Sequence, residues 1–453
     1  MKICFIPIDN RPVCYNLAID IASIDDDIDL MIPPREYLGS LTKIADIDKI
    51  LNWLEDVPMC DTIILSLDTI AYGGLIPSRR GKESLEEIKE RICKLKDILK
   101  VKNAKIYAFS SIMRIPNNNY NEEEKEYWSE YGKNIFEYSY NLDKFGKADS
   151  SKIPDEILND YLKARKRNFE INKIYLEWQK EGFFDTLIFS KDDCAEFGLN
   201  VKEARELEKS GGFTKTGADE IPLTLMARSI EKDIKVYVQY TEPDCTDLIS
   251  NYEDVSIEKS VLGQLELGGF KRVNDINESN IVLIVNNFRE KQGEIVMGWG
   301  VNVKNKNDYS FNSIVQEKPF AVADVRNANG ADNDFAEKLL NTFKNKNIYP
   351  FLGYAGWNTS ANTIGSLLAG VKVAYNAEKY NEQAFKRLQM IRFLDDWAYQ
   401  ANVREQIDEP CDIKAMMKPY IERLSEVFNY KIDYSTVTFT HPWNRKFEIE
   451  VDL

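Results

Sequence analysis

Acidic and basic side chains recur in this sequence directly after short apolar runs. Asp192 and Asp193 are the sharpest case. They follow Thr-Leu-Ile-Phe-Ser-Lys and precede Cys-Ala-Glu-Phe-Gly. Two adjacent carboxylates repel when both are ionised, so one pKa rises and the other falls. One member can then serve as a general acid while its neighbour stays anionic. A second pair, Asp219 and Glu220, sits in Thr-Gly-Ala-Asp-Glu ahead of a helical run over 221–231. It reads either as a rival catalytic pair or as first-turn residues stabilised by the helix dipole. A third segment, Tyr-Ala-Gly-Trp-Asn-Thr-Ser-Ala-Asn-Thr from residue 354, places Trp357 and Asn358 together. A flat indole face beside amides suits a sugar ring, whose C–H face stacks while its hydroxyls take hydrogen bonds.

Other polar clusters follow the same rule of position. Asp9 and Arg11 close the first apolar run, Asp68 the next clear one, and Arg114 follows Ser110-Ser111. Glu242, Asn286, and Asp324 with Asn327 close later runs. We take Asp9, Arg11, Asp68, Arg114, Glu242, Asn286, Asp324, Asn327, Trp357 and Asn358 as expected substrate-binding residues. The alternative is that strand ends are polar only because they are exposed.

The runs themselves lie at 3–8, 62–67, 105–110, 186–190, 234–240, 281–285, 320–325 and 349–354, with a weaker one at 30–32. Near-continuous apolar strands alternating with amphipathic helices predict a parallel sheet covered on both faces. Eight such units predict an α/β fold of the (β/α)8-barrel type, with functional residues gathered at the strand C-termini. An open doubly wound sheet is the alternative architecture. No GxGxxG follows the first strand, so a dinucleotide site has no support. Residues 121–179 are charged and helical and predict an insertion, either a lid or an interface. The expected division is a barrel over 1–375 and a mostly helical region over 376–453, with helices across 378–429 and a hairpin across 436–451.

The composition excludes several function classes. The formal net charge is −15, the wrong sign for phosphate neutralisation by a nucleic-acid binder or for an anionic membrane surface. The first apolar run is too short for a signal core or a membrane span. Seven scattered cysteines without a CxxC pair predict reduced thiols and a cytoplasmic setting. The single histidine, His441, lies far from any nucleophile elbow. Acid–base work therefore falls to Asp, Glu, Tyr, Lys or Cys.

Taken together, Asp9-Asn10-Arg11-Pro12, Tyr72-Gly73-Gly74 with Pro77-Ser78-Arg79, Lys191-Asp192-Asp193, Gly217-Ala218-Asp219-Glu220 and Tyr354-Ala355-Gly356-Trp357-Asn358-Thr359 resemble the bacterial domain-of-unknown-function family 4127. That family usually has Asp-Asp-Arg-Pro near its start, where this chain has Asn10. The resemblance runs from residue 1 to beyond residue 365 and implies no established activity. A looser likeness is chemical. Adjacent aspartates at a strand end resemble the catalytic pair of glycoside hydrolase family 84, and Gly-Ala-Asp-Glu resembles the Gly-Gly-Asp-Glu of family 20. Both use substrate-assisted catalysis on N-acetylhexosaminides, an exception to the ordinary two-carboxylate mechanism. The family 84 likeness implies that Asp192 orients the acetamide and Asp193 is the acid/base.

The expected function is a retaining N-acetylhexosaminidase acting on a small carbohydrate, with no cofactor and no metal, and with a homo-oligomer open. One alternative is a Mg²⁺-dependent enzyme for a phosphorylated or carboxylate substrate, using strand-end carboxylates as hard oxygen ligands. The other is a sugar-binding barrel without catalysis.

Overall fold

Strands form where β-branched and aromatic residues run unbroken. In Thr62–Ser66 and Ile281–Asn286 every residue is buried, as expected of strands covered on both faces. The computed structural model describes residues 1–301, 318–343, 350–407 and 413–453. The chain divides into two compact units. The first comprises Met1–Tyr15, Asp29–Leu225 and Tyr252–Asp254; the second comprises Asn16–Ile28, Met226–Asn251 and Val255–Leu453.

The first unit contains β1 (Lys2–Ile6), β2 (Asp29–Met31), β3 (Thr62–Ser66), β4 (Lys105–Ile112), β5 (Thr186–Lys191) and β6 (Thr214–Thr216). They pair in parallel in the order β2-β1-β3-β4-β5-β6. The chain adds β2 on one side of β1 and everything later on the other. The gap between β1 and β3 is therefore a topological switch point, where ligands bind outside the strand C-termini of open parallel sheets. One face of the sheet (Cys4, Ile6, Ile63, Leu65, Ile106, Leu187, Phe189) packs on helices Ile47–Asp56, Leu85–Lys100 and Asp155–Lys180. Each fully buried Ile or Leu there contributes about 1.5–3 kcal/mol. Helix Leu85–Lys100 starts at a capping box, in which Ser84 and Glu87 satisfy each other's backbone N–H.

The second unit contains β7 (Ile234–Tyr240), β8 (Phe270–Val273), β9 (Ile281–Asn286), β10 (Gly293–Glu294), β11 (Phe320–Asp324), β12 (Asn327–Ala328), β13 (Phe351–Ala355), β14 (Thr438–Thr440) and β15 (Glu450–Asp452). Five of them form a parallel sheet in the order β13-β11-β9-β7-β8. Its switch point lies between β7 and β9 by the same reasoning. Helices Ile257–Leu267 and Ser360–Asn376 cover a core built on Val236, Leu283, Ala321 and Ala323. β10 pairs with β12 in parallel, and β14 with β15 in antiparallel fashion. The latter pair is the hairpin expected at the C-terminus.

The parallel, helix-covered sheet expected from the strand rhythm is present. Closure into one eight-stranded barrel is not seen among the described strands, which hydrogen-bond as a six-stranded and a five-stranded parallel sheet and two two-stranded pairs. The reading missed β6 and β8 because Thr-Lys-Thr and Phe-Lys-Arg-Val are short and half polar, typical of sheet edges. The second compact unit begins its own sheet at β7 and runs on through residue 375. The expected insertion at 121–179 is half core. Phe169, Ile171, Tyr175, Leu176 and Trp178 of helix Asp155–Lys180 join the main hydrophobic cluster. A helix of 26 residues is about 39 Å long. Its first half instead packs, through Leu158 and Tyr161, on Trp128 and Ile135 of helix Trp128–Phe145. Most of the charges that suggested an excursion are at least partly exposed, while Glu124, Arg165 and Arg167 are buried. Residue 349 of the expected last strand, and 408–412 of the expected C-terminal helices, lie outside the described residues.

Candidate active site

In the first unit every strand end except that of the short edge β2 delivers a charged or hydroxyl side chain to the candidate site. The turn after β5 carries Asp192 and Asp193, with Asp193 at φ 43°. Arg114, two residues beyond β4, meets them. Its Nη1 donates to Asp193 Oδ2 at 2.7 Å and to Asp192 Oδ2 at 3.4 Å. Its Nε and Nη2 donate to Glu124 and Glu123, each at 2.9 Å. Arg79, in helix Leu75–Arg80 after β3, donates to Glu124 at 3.0 Å, and its Nη2 lies 3.6 Å from Asp192. Charge-assisted contacts of this kind hold both guanidinium groups in place.

Helix Asp155–Lys180 anchors these loops from below. Arg167 and Asn168 donate to the Ser78 carbonyl at 2.7 and 2.9 Å. Arg165 donates to the Met113 carbonyl, beside Arg114, at 2.8 Å. Asn172 accepts from Ser110 at 2.7 Å and donates to the Ser111 carbonyl. These polar residues on the sheet-facing side of the helix are paired, as burial requires.

Exposure separates the two carboxylate pairs. The side chains of Asp192 and Asp193 are 21% and 27% exposed. Burial of the carboxyl within the cluster, together with the Asp192 charge, pushes Asp193 up to about 7, against the pull of Arg114 and Arg79. The Asp219 side chain is 9% exposed and is gripped by Arg11, whose Nη2 and Nη1 donate to its two oxygens at 2.6 and 3.1 Å. Glu220 is fully buried, and its carboxylate accepts from the Ala218 N–H at 3.1 Å. Arg11 Nε also donates to Asp9, at 2.9 and 3.1 Å. Burial raises Asp219, with Asp9 and Asp192 adding to the rise and Arg11 opposing it. Burial likewise pushes Asp68 up to about 7, although the Ser111 N–H donates to it at 2.7 Å.

Asp9, Cys14 and Asp219 are the group of described side chains whose ligand atoms gather as a metal would need, all within 4.8 Å. Arg11 already occupies the space chemically, bonded to both carboxylates. A hard divalent ion would have to displace that guanidinium and accept a thiol, so this donor set does not fit Mg²⁺.

Of the residues expected at the site, Asp9, Arg11, Asp68, Arg114, Asp192, Asp193, Asp219 and Glu220 belong to the first unit. Glu242, Asn286, Asp324, Asn327, Trp357 and Asn358 belong to the second. There Asn287 clamps Glu242 through both backbone groups, at 2.8 and 2.9 Å. Asn286 donates to Asp324 at 2.8 Å, and Asp324 accepts from Tyr354 at 3.1 Å and from the Asp332 N–H at 2.8 Å. Burial, then the nearby Asp332 charge, pushes Asp324 up to about 8. Asn327 lies in β12 and Asn358 caps its own turn, accepting from Thr359 N at 2.8 Å. Trp357 is 3% exposed and packs on Phe447, so its ring is core rather than an open platform. His441 pairs with Tyr399 at 2.9 Å.

Sequence reading missed Glu123 and Glu124, which were lost in a run of three glutamates, and noted Arg79 in a strand-end motif without placing it in the site. An arginine at a strand end without a nearby acidic partner was the available signal. Among the described residues no helix is long and apolar enough to cross a membrane. A family model described as "Protein of unknown function (DUF4127)" matches residues 3–452, in accord with the resemblance drawn from the strand-end motifs. No curated protein and no solved structure matches the chain.

Proposed function

We propose that this chain, which belongs to the DUF4127 family, is a glycoside hydrolase that uses Asp192 and Asp193 as its carboxylate pair. The observation that carries this reading is an accessible aspartate beside a second aspartate at a strand C-terminus, with its pKa raised to about 7. A carboxylic acid protonated near neutral pH can protonate a leaving oxygen. The rival pair is less suited, because Asp219 is bound to Arg11 and Glu220 is buried.

The substrate we favour carries an N-acetylhexosamine. Its acetamide carbonyl oxygen attacks the anomeric carbon while the bond to the leaving oxygen breaks. Asp193 gives its proton to that oxygen, and Asp192 accepts the acetamide N–H. Water then opens the cyclic intermediate, returning a proton to Asp193. Arg114 holds the pair and stabilises the charge left on Asp193. The charge balance supports a neutral substrate: the donors of Arg11 and Arg114 face carboxylates on every side, so an anionic substrate would meet a predominantly negative surface. This weighs against the phosphate-handling alternative, as does the grip of Arg11 on the Asp9–Asp219 group. The chemistry requires converging strand ends, and it stands equally for an open parallel sheet or a (β/α)8-type barrel.

The test is turnover of aryl N-acetyl-β-glucosaminide and galactosaminide by the purified protein, with Asp192→Asn and Asp193→Asn alongside. Release of aryl alcohol that drops in both variants is expected. If the wild type turns over neither substrate, the reading fails; binding without turnover would favour the non-catalytic alternative.

A further inference from the structure

The second unit carries its own strand-end apparatus, which the hydrolase reading does not use. We propose that the C-terminal ends of β9 and β11 form a separate ligand site that takes a carboxylate or phosphate group of a small molecule on Arg289 and Arg326. Arg289 follows β9 by three residues, at the β7–β9 switch point, where doubly wound sheets bind ligands. Its only contact with a charged or polar partner among the described residues is Glu242, at 3.8 Å, beyond hydrogen-bond distance. Its side chain is 28% exposed. Arg326 follows β11, the adjacent strand, and uses Nη1 alone, on Asp332 at 2.9 Å. Nε and Nη2 of Arg326 and the whole fork of Arg289 are thus left for a ligand. A guanidinium fork matches the paired oxygens of a carboxylate or phosphate.

One residue ties the end of β9 to the partner of Arg326. Asn286, the last residue of β9, lies 3.3 Å from the Asp332 oxygen that Arg326 binds. Carboxylates at these strand ends include Glu242, Asp324, Asp332 and Asp396, the last accepting from the Gly356 N–H just beyond β13. Burial pushes the Asp324 carboxyl up to about 8 and raises Asp396 as well, which lightens the negative charge facing two arginines with unused donors. A ligand of low net charge therefore fits best, with its anionic oxygens on the guanidinium groups.

Isothermal titration of the full-length protein with acetate, and separately with inorganic phosphate, tests the site. Saturable binding of at least one probe is expected, weakened about tenfold or more in Arg289→Gln and in Arg326→Gln. Arg289→Lys, which keeps charge but not the fork, should retain part of it. Binding of acetate alone would identify a carboxylate ligand, and of phosphate alone a phosphate ligand. No saturable binding of either probe, or equal binding by wild type and Arg289→Gln, overturns the proposal. Arg326→Gln strips Asp332 of its partner, so circular dichroism checks its fold, and Arg289→Gln decides alone if that variant does not fold. Because neither probe is a glycoside, the result is independent of hydrolase activity.

Discussion

The two units share a topology and differ in chemistry. In each, the first strand receives the second on one side and the third, fourth and fifth on the other, giving the orders β2-β1-β3-β4-β5 and β8-β7-β9-β11-β13. In each, side chains for chemistry gather at the strand C-termini. In the first unit, the donors of Arg11 and Arg114 are taken up by aspartates and glutamates, and three of those carboxylates, Asp192, Asp193 and Glu123, remain partly open to solvent. In the second, amides tie the strand ends together, the raised carboxylic acid Asp324 is wholly buried, and the arginines keep unused donors. A backbone arrangement decides where a site forms, and the saturation of its arginines decides what sign of ligand it accepts.

The sharpest way to break this comparison is to remove the accessible acid. Asp193→Asn should lower kcat/KM on an aryl N-acetylhexosaminide by about 10²–10⁴-fold, the usual contribution of a general acid. A loss much below that range would place the acid elsewhere. Its environment gives a companion test. Activity of the wild type should fall as pH rises through about 7, where Asp193 gives up its proton. Arg114→Met removes the cation that favours ionisation, so this alkaline limb should move up, by about one to three pH units. A limb that moves down, or stays, would show that Asp193 is not the titrating group.

The next effect is on stability in the first unit. Gly217 sits at φ +112°, and a Cβ there would come within 1.7 Å of Glu220 Oε1. Gly217→Ala should cost about 1–3 kcal/mol or more, measured by urea unfolding. An unchanged midpoint would mean that the turn before Asp219 is less constrained than its geometry requires.

A pH effect on stability distinguishes the buried acid of the second unit. Asp324 has a folded-state pKa of about 8, above the unfolded value of about 3.9. The native state therefore holds this proton longer than the unfolded chain. The stabilisation is fully present below about pH 4 and is lost as pH rises through about 8. The thermal midpoint should decline between pH 6 and 9, and Asp324→Asn should flatten that decline. A slope equal to wild type in the variant would assign the titration to another group. The smallest effect is expected from Ser84→Ala, which removes one side of an exposed capping box and should cost about 1 kcal/mol, with activity and anion binding unchanged.

Much of the fold was legible in the sequence. The eight clear apolar runs are all strands, with ends within about two residues. Local hydrophobic patterning is strong enough to specify a buried parallel strand. The grouping of those strands was not legible, because the pairing partner of a strand is a non-local choice that periodicity does not encode. The weak edges β2, β6 and β8 mark where each sheet stops. Their polar composition made them hardest to see.

The sequence by itself determined that charged and amide side chains would stand at the C-terminal ends of parallel strands, because each polar cluster follows an apolar run and the chain direction does the rest. Only the tertiary structure decided which of them act together. It bound Asp219 to Arg11 and buried Glu220, left Asp192 and Asp193 open beside Arg114, and brought in Glu123 and Glu124 from the bend ahead of helix Trp128–Phe145. It also turned Trp357 inward against Phe447. Exposure and salt-bridge pairing depend on contacts between residues tens to hundreds of positions apart, and those contacts set the proton affinity of each carboxylate.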